Sequence, residues 1–109
     1  MKRDELERMA EKSLKYLHEG AVEHATLRAQ SDYLASWVKV VKAKCKAKHP
    51  GQSATAAEDA ALRDPEYLAA LEAQRQADTA WYEVQFKREA ARAHLDAFQT
   101  VSANERVNA

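Results

Sequence analysis

The chain has 109 residues, so it forms one domain at most and buries only about two thirds of its unfolded surface. Charged residues make up 31%, alanine is abundant, and there are only two glycines and two prolines, the composition of a mostly helical chain. The single cysteine, Cys45, excludes an internal disulfide and a cysteine-based metal cage. No window approaches the roughly 20 apolar residues of a membrane span, and "MKRDELERMAEK" lacks the apolar core of a signal peptide. The expectation is a cytoplasmic protein with no membrane partner.

The net charge of zero hides a segregation. Residues 1–49 carry eleven Lys/Arg against seven Asp/Glu, and residues 50–109 carry six against ten, so the halves are +4 and −4. Antiparallel arms of one chain would attract each other, and so would copies in a dimer.

From Asp4 to Lys48 only Gly20 interrupts a run of helix formers. Leu6, Ser13, Gly20, Leu27, Leu34 and Val41 form a row at heptad spacing, and Ala10, Leu17, His24, Ser31, Val38 and Cys45 form the row beside it. The resulting apolar stripe is interrupted over 18–26 and dense over 27–45, with Tyr33 and Trp37 on its flank. The pattern predicts one helix over 4–48, roughly 40 residues and about 60 Å long. Gly20 costs about 1 kcal/mol within it; a kink or break at "HEGAVEH" is the alternative.

The arm ends in "KVVKAKCKAKH". Lys39, Lys42, Lys44, Lys46, Lys48 and His49 lie where positive charge is favourable against the helix dipole. The other reading is a phosphate-backbone patch, joined by Lys87, Arg88 and Arg92, although the lysines spread around the helix without interleaved arginine and aromatic residues.

His49-Pro50-Gly51 stops the first arm. "TAAEDAAL" then carries a capping-box pattern from Thr55 to Glu58 and predicts a short helix over 55–62, with Ala57, Ala61 and Leu62 covering the hairpin core. Asp64 as cap, Pro65 in the first helical position and Glu66 in the first turn start a helix over 65–100. Tyr67, Gln74, Trp81, Arg88 and Leu95 form one of its rows; Ala70, Ala77, Val84, Ala91 and Phe98 form the other. Gln74 and Arg88 are polar members that can set register. Leu68, Leu71, Tyr82 and Phe86 lie off the stripe and call for a further neighbour. Residues 101–109 read as a polar, frayed tail.

The fold class is therefore all-α: a long antiparallel helical hairpin, coiled-coil-like, with a short connecting helix, completed as an oligomeric helical bundle. Two hairpins making a four-helix bundle is the simplest form, a homodimer. The residues expected to carry self-association are Leu27, Leu34, Trp37, Val38, Val41, Trp81, Val84, Leu95 and Phe98.

No catalytic, cofactor-binding or metal-binding residues are assigned. His18 and His24 do not share one face of a regular helix, and Glu19, Glu23 and Asp32 would join them only through a bend at Gly20. Cys45 reads as a small packed hydrophobe. Asp78 and Glu89 align on a helix, but such acid pairs are common on a charged surface. Gly51 stands alone, so there is no phosphate loop.

The order "SATAAEDAALRDPEYLAALEAQ", then "FKREAARAHLDAFQTVSANER", resembles a group of small helical proteins of bacteriophages and prophages across about residues 53–106. The matching positions are Asp64, Pro65, Glu66 and Tyr67, followed by Lys87, Arg88, Ala91, Phe98, Thr100, Asn104 and Arg106. Similar proteins often carry Trp-Arg where this chain has Phe98-Gln99, and arginine in place of Glu105. The resemblance implies a place among early genes for DNA replication, recombination or host takeover, acting in the cytoplasm of a bacterial host. The leading expectation is a non-enzymatic accessory protein that works through phage or host protein contacts. The alternatives are direct binding of DNA or RNA through residues 39–49, and inhibition of a host or defence enzyme through the acidic side formed by Glu72, Asp78, Glu83 and Glu89.

Overall fold

The computed structural model describes residues 2–108. The protein is all-α, with helices α1 (Arg3–Glu19), α2 (Ala21–Lys46), α3 (Ala54–Leu62) and α4 (Pro65–Asn108). They form two compact units. In the first, α1 and α2 up to Ala25 pack with α4 from Tyr82 onward; the second comprises Thr26–Trp81.

In both units the paired helices run antiparallel, and polar side chains on the seam fix their register. In the first unit Ser13 Oγ lies 3.5 Å from His94 Nδ1, Arg88 Nη1 donates to Leu17 O at 3.0 Å, and His24 Nε2 donates to Gln85 Oε1 at 2.7 Å. In the second, Ser31 Oγ donates to Asp78 and Lys48 Nζ donates to Asp64 Oδ2 at 2.9 Å. Every member of the two heptad rows on α1 and α2, and of the two rows on α4, is buried or half-buried. The stripes thus meet each other within the chain, as apolar helix faces must.

The two units differ in what they bury. Val38, Val41, Cys45, Ala61 and Ala70 form one cluster in the second unit, with Tyr67 packed against it. Among the described residues, those buried in the first unit are Ala10, Ser13, Arg88 and Ala91, which are small or polar. Apolar burial is the main driving force for packing, so the second unit holds the stronger core.

The single helix expected over 4–48 is two helices. Gly20 (φ −87°, ψ 0°) ends α1, its N–H bonded to Tyr16 O. A Cβ at position 20 would stand 3.0 Å from Tyr16 O, a tight approach to the last turn of α1, and at an ordinary contact distance of 3.5 Å from Arg88 Nη1. Beside it the buried guanidinium reaches a carbonyl in the last turn of α1, where a cation is favourable. The i→i−4 pattern still bridges the interruption, since the His24 N–H bonds to Gly20 O at 3.0 Å.

The corner differs from its sequence reading in its cap. Ser53, not Thr55, caps α3, its side chain accepting from the Ala56 N–H at 3.2 Å. Glu58, expected to complete a capping box, instead accepts from Lys42 Nζ at 2.7 Å. Ala57 and Ala61 are buried under α3, whereas Leu62 is 43% exposed and does not cover the core. Gly51 adopts φ 84°, the left-handed conformation that lets the chain turn after "HP". Asp64 Oδ1 accepts from the Glu66 N–H at 2.9 Å and so caps α4.

The polar tail expected over 101–109 is helical as far as Asn108, the last described residue. Ser102 and Glu105 stand one heptad beyond Leu95 and Phe98, so the segment stays beside α1. There Arg3 forms an ion pair with Glu105.

Candidate functional site

The lysine segment at the end of α2 is largely engaged by its own chain. Lys42 pairs with Glu58, while Lys48 pairs with Asp64 and lies 3.6 Å from Glu66. These contacts raise both lysine pKa values above the ordinary range and hold the Glu58 and Asp64 carboxyls below theirs. In each case the leading cause is the side-chain hydrogen bond between the partners. Lys44 lies over the Trp37 ring, 5.6 Å from its centroid. Lys46 is half-buried and adds an attraction to Glu58, which leaves Lys39 as the outlying exposed cation. Lys87, Arg88 and Arg92 lie in the first unit and do not form one cluster: Arg88 is buried in the seam, with Lys87 and Arg92 exposed.

The acidic side of α4 is also partly occupied. Glu72 accepts from Arg75 and Gln76, contacts that hold its carboxyl well below the usual range. Asp78 accepts from Ser31, and Glu89 from Gln85 at 3.1 Å. Among the described residues no group of three or more histidine, cysteine, aspartate or glutamate side chains could hold a metal ion. His24 bonds to Gln85 while His18 is exposed, so the two imidazoles of "HEGAVEH" do not converge. Cys45 is fully buried, and desolvation, with a hydrogen bond to Asp64 second, pushes its thiol pKa up. That is the opposite of an activated nucleophile.

Of the residues expected to mediate self-association, Val38 and Val41 lie in the chain's own core. Leu27, Leu34, Trp81, Val84, Leu95 and Phe98 are half-buried along the intrachain seams. Only Trp37 stands out, at 37% exposed. Apart from Val22, Leu62 and Val107, the other large apolar side chains left open lie off the centre of the stripe. In the second unit they are Tyr33 (64% exposed), Val40, Leu68 and Leu71. In the first they are Leu14, Tyr16, Tyr82 and Phe86, the last two stacked with ring centroids 6.3 Å apart.

Each unit also has an open groove between its helices. That of the second unit, about 340 Å³, has Trp37 and Lys44 on its α2 wall and Glu66, Ala69 and Ala73 on its α4 wall. That of the first, about 430 Å³, lies between Met9, Lys12 and Tyr16 of α1 and Lys87, Ala90 and His94 of α4. The heptad reading missed Leu14, Tyr16 and Val40 because it followed the centre of each stripe. Successive residues on a helix point about 100° apart, so these side chains lie away from the centre of the stripe even though each is next to a stripe member in sequence.

No helix among the described residues is long and apolar enough to cross a membrane. Comparison with protein-family models, characterised proteins and solved structures finds no match to this chain.

Proposed function

We propose that this protein acts by binding another protein through the apolar side chains that its helices leave open. One observation carries the reading: on well-formed helices, Tyr33, Val40, Tyr82 and Phe86 are each about half exposed or more while the stripes beside them are packed. Contiguous exposed apolar groups, such as the stacked Tyr82 and Phe86, favour burial by a partner. The phage resemblance directs the proposal to a partner in phage DNA metabolism or host takeover, in the bacterial cytoplasm.

Nucleic-acid binding is the weaker reading, because Lys42, Lys44 and Lys48 already have partners within the chain. Phosphate recognition draws on cations free to release counterions.

The test is chemical crosslinking in host lysate with the wild-type chain and a Tyr33→Ser/Val40→Ser/Tyr82→Ser/Phe86→Ser variant of matched helicity. A specific protein captured by the first and lost by the second is the expected result. Equal capture by both overturns the reading, as does salt-dependent oligonucleotide binding that disappears in Lys39→Gln/Lys46→Gln.

A further inference from the structure

We propose that the groove of the second unit is covered by the same groove of a second copy, through a two-fold axis running along the groove. The proposal rests on the protein-binding reading above and names the partner for this one face.

The two walls of the groove are unlike. The α2 wall presents a large ring and a cation, Trp37 and Lys44; the α4 wall presents two small side chains and an anion, Ala69, Ala73 and Glu66. Such a face is a poor match for a translated copy of itself and a good match for its own two-fold mate. Rotation about an axis parallel to the helices lays α2 of one copy on α4 of the other and keeps every residue at its own level. The Ser31–Asp78 and Lys48–Asp64 bonds fix those levels, placing Trp37 opposite Ala73 and Lys44 opposite Glu66. In the dimer each Trp37 enters the space above Ala69 and Ala73 of the other copy, a knob into a hole. Each Lys44 faces Glu66 of the other copy, and symmetry makes every contact twice. Tyr33 and Val40, exposed on the same flank of α2 as Trp37, widen the apolar contact. A heterologous helix would need to supply both an aromatic knob and an alanine-lined wall with matching charges; a second copy supplies them without further assumption.

The experiment is sedimentation velocity and light scattering over a wide range of concentration. Wild type should pass from monomer to dimer as concentration rises, and Trp37→Ala should remain monomeric with unchanged helicity. Lys44→Glu and Glu66→Lys should each dimerise about tenfold more weakly, like charges now facing each other across the axis. Mixing those two variants should restore dimers, because one chain is then acidic and the other basic at both positions. Should Trp37→Ala lose helicity, the mixing experiment decides. A wild type monomeric throughout, or dimers indifferent to all these changes, overturns the proposal. A monomer that still captures a specific protein through its exposed side chains would sink this dimer and leave the protein-binding reading standing.

Discussion

Replacing Val41 by alanine tests the fold at its centre. Val41 is 5% exposed and belongs to a cluster whose other members are Val38, Cys45, Ala61 and Ala70. Losing two buried methyl groups at about 0.8 kcal/mol each removes about 1.6 kcal/mol of transfer free energy. The alanines across the seam cannot extend to fill the space, so a cavity of roughly 40 Å³ adds about 1 kcal/mol. The total, about 2–3 kcal/mol, is a large share of the stability of a small domain and corresponds to a fall in Tm of about 10–20 °C. Val40 provides the control: one residue away and 48% exposed, its replacement by alanine should cost under about 0.5 kcal/mol. Urea denaturation followed by circular dichroism at two well-separated protein concentrations keeps association apart from the core effect. A Val41→Ala loss below about 1 kcal/mol, or a Val40→Ala loss of equal size, would refute the assigned helical phase and the intrachain core.

Asp64 and Glu58 have folded pKa values below their ordinary values of 3.8 and 4.5. Their contribution to stability is therefore complete above those values and disappears as pH falls through the folded ones. Lys42 and Lys48 have folded values raised above 10.5, so theirs is complete below 10.5 and disappears as pH rises through the folded values. Asp64→Asn should shrink the acid limb of the melting profile; an unchanged limb contradicts the assignment. Cys45, buried and with a raised thiol pKa, should react with a maleimide only when the second unit opens, and faster in Val41→Ala. Rapid labelling in native buffer would count against it. Arg88→Ala should cost about 2–4 kcal/mol, through lost packing and an orphaned Leu17 carbonyl. Arg88→Met should cost less than half as much, because it fills the site without a buried charge; the reverse order in denaturant titrations would dismiss the seam role of Arg88.

The all-helical class and the faces that pack were legible because helical period is a local property of sequence. Each of the two rows on either arm can be followed from residue numbers alone, and the structure buries or half-buries every member. What those faces pack against was less legible, since an apolar stripe has the same pattern whether its neighbour is another arm or another chain. Val38 and Val41 illustrate this: expected at an oligomer contact, they lie in the chain's own core. Gly20 was visible as an anomaly, and the tight approach there is local, to the Tyr16 carbonyl; that the Arg88 guanidinium lies beside it is something no local window contains. The α3 cap likewise falls at Ser53, two residues before the one the pattern favoured, while Glu58 meets Lys42 on another helix.

The segregation of charge between the halves explains why the lysine-rich segment is a poor guide to function. Its cations meet second-half anions at the corner, Lys42 with Glu58 and Lys48 with Asp64, while Arg3 meets Glu105 in the first unit. Partly exposed ion pairs of this kind add little stability singly. Their effect here is positional, since Asp64 also accepts the Glu66 N–H and caps α4. Neutralising the whole segment would therefore disturb the corner as well as any phosphate contact, and a loss of oligonucleotide binding would have two explanations. Lys39 and Lys46 separate them, because neither forms an ion pair among the described residues. Binding that falls in Lys39→Gln/Lys46→Gln with the melt unchanged would report phosphate recognition. Binding that falls only in Lys42→Gln/Lys48→Gln, together with a lower Tm, would report a loosened corner.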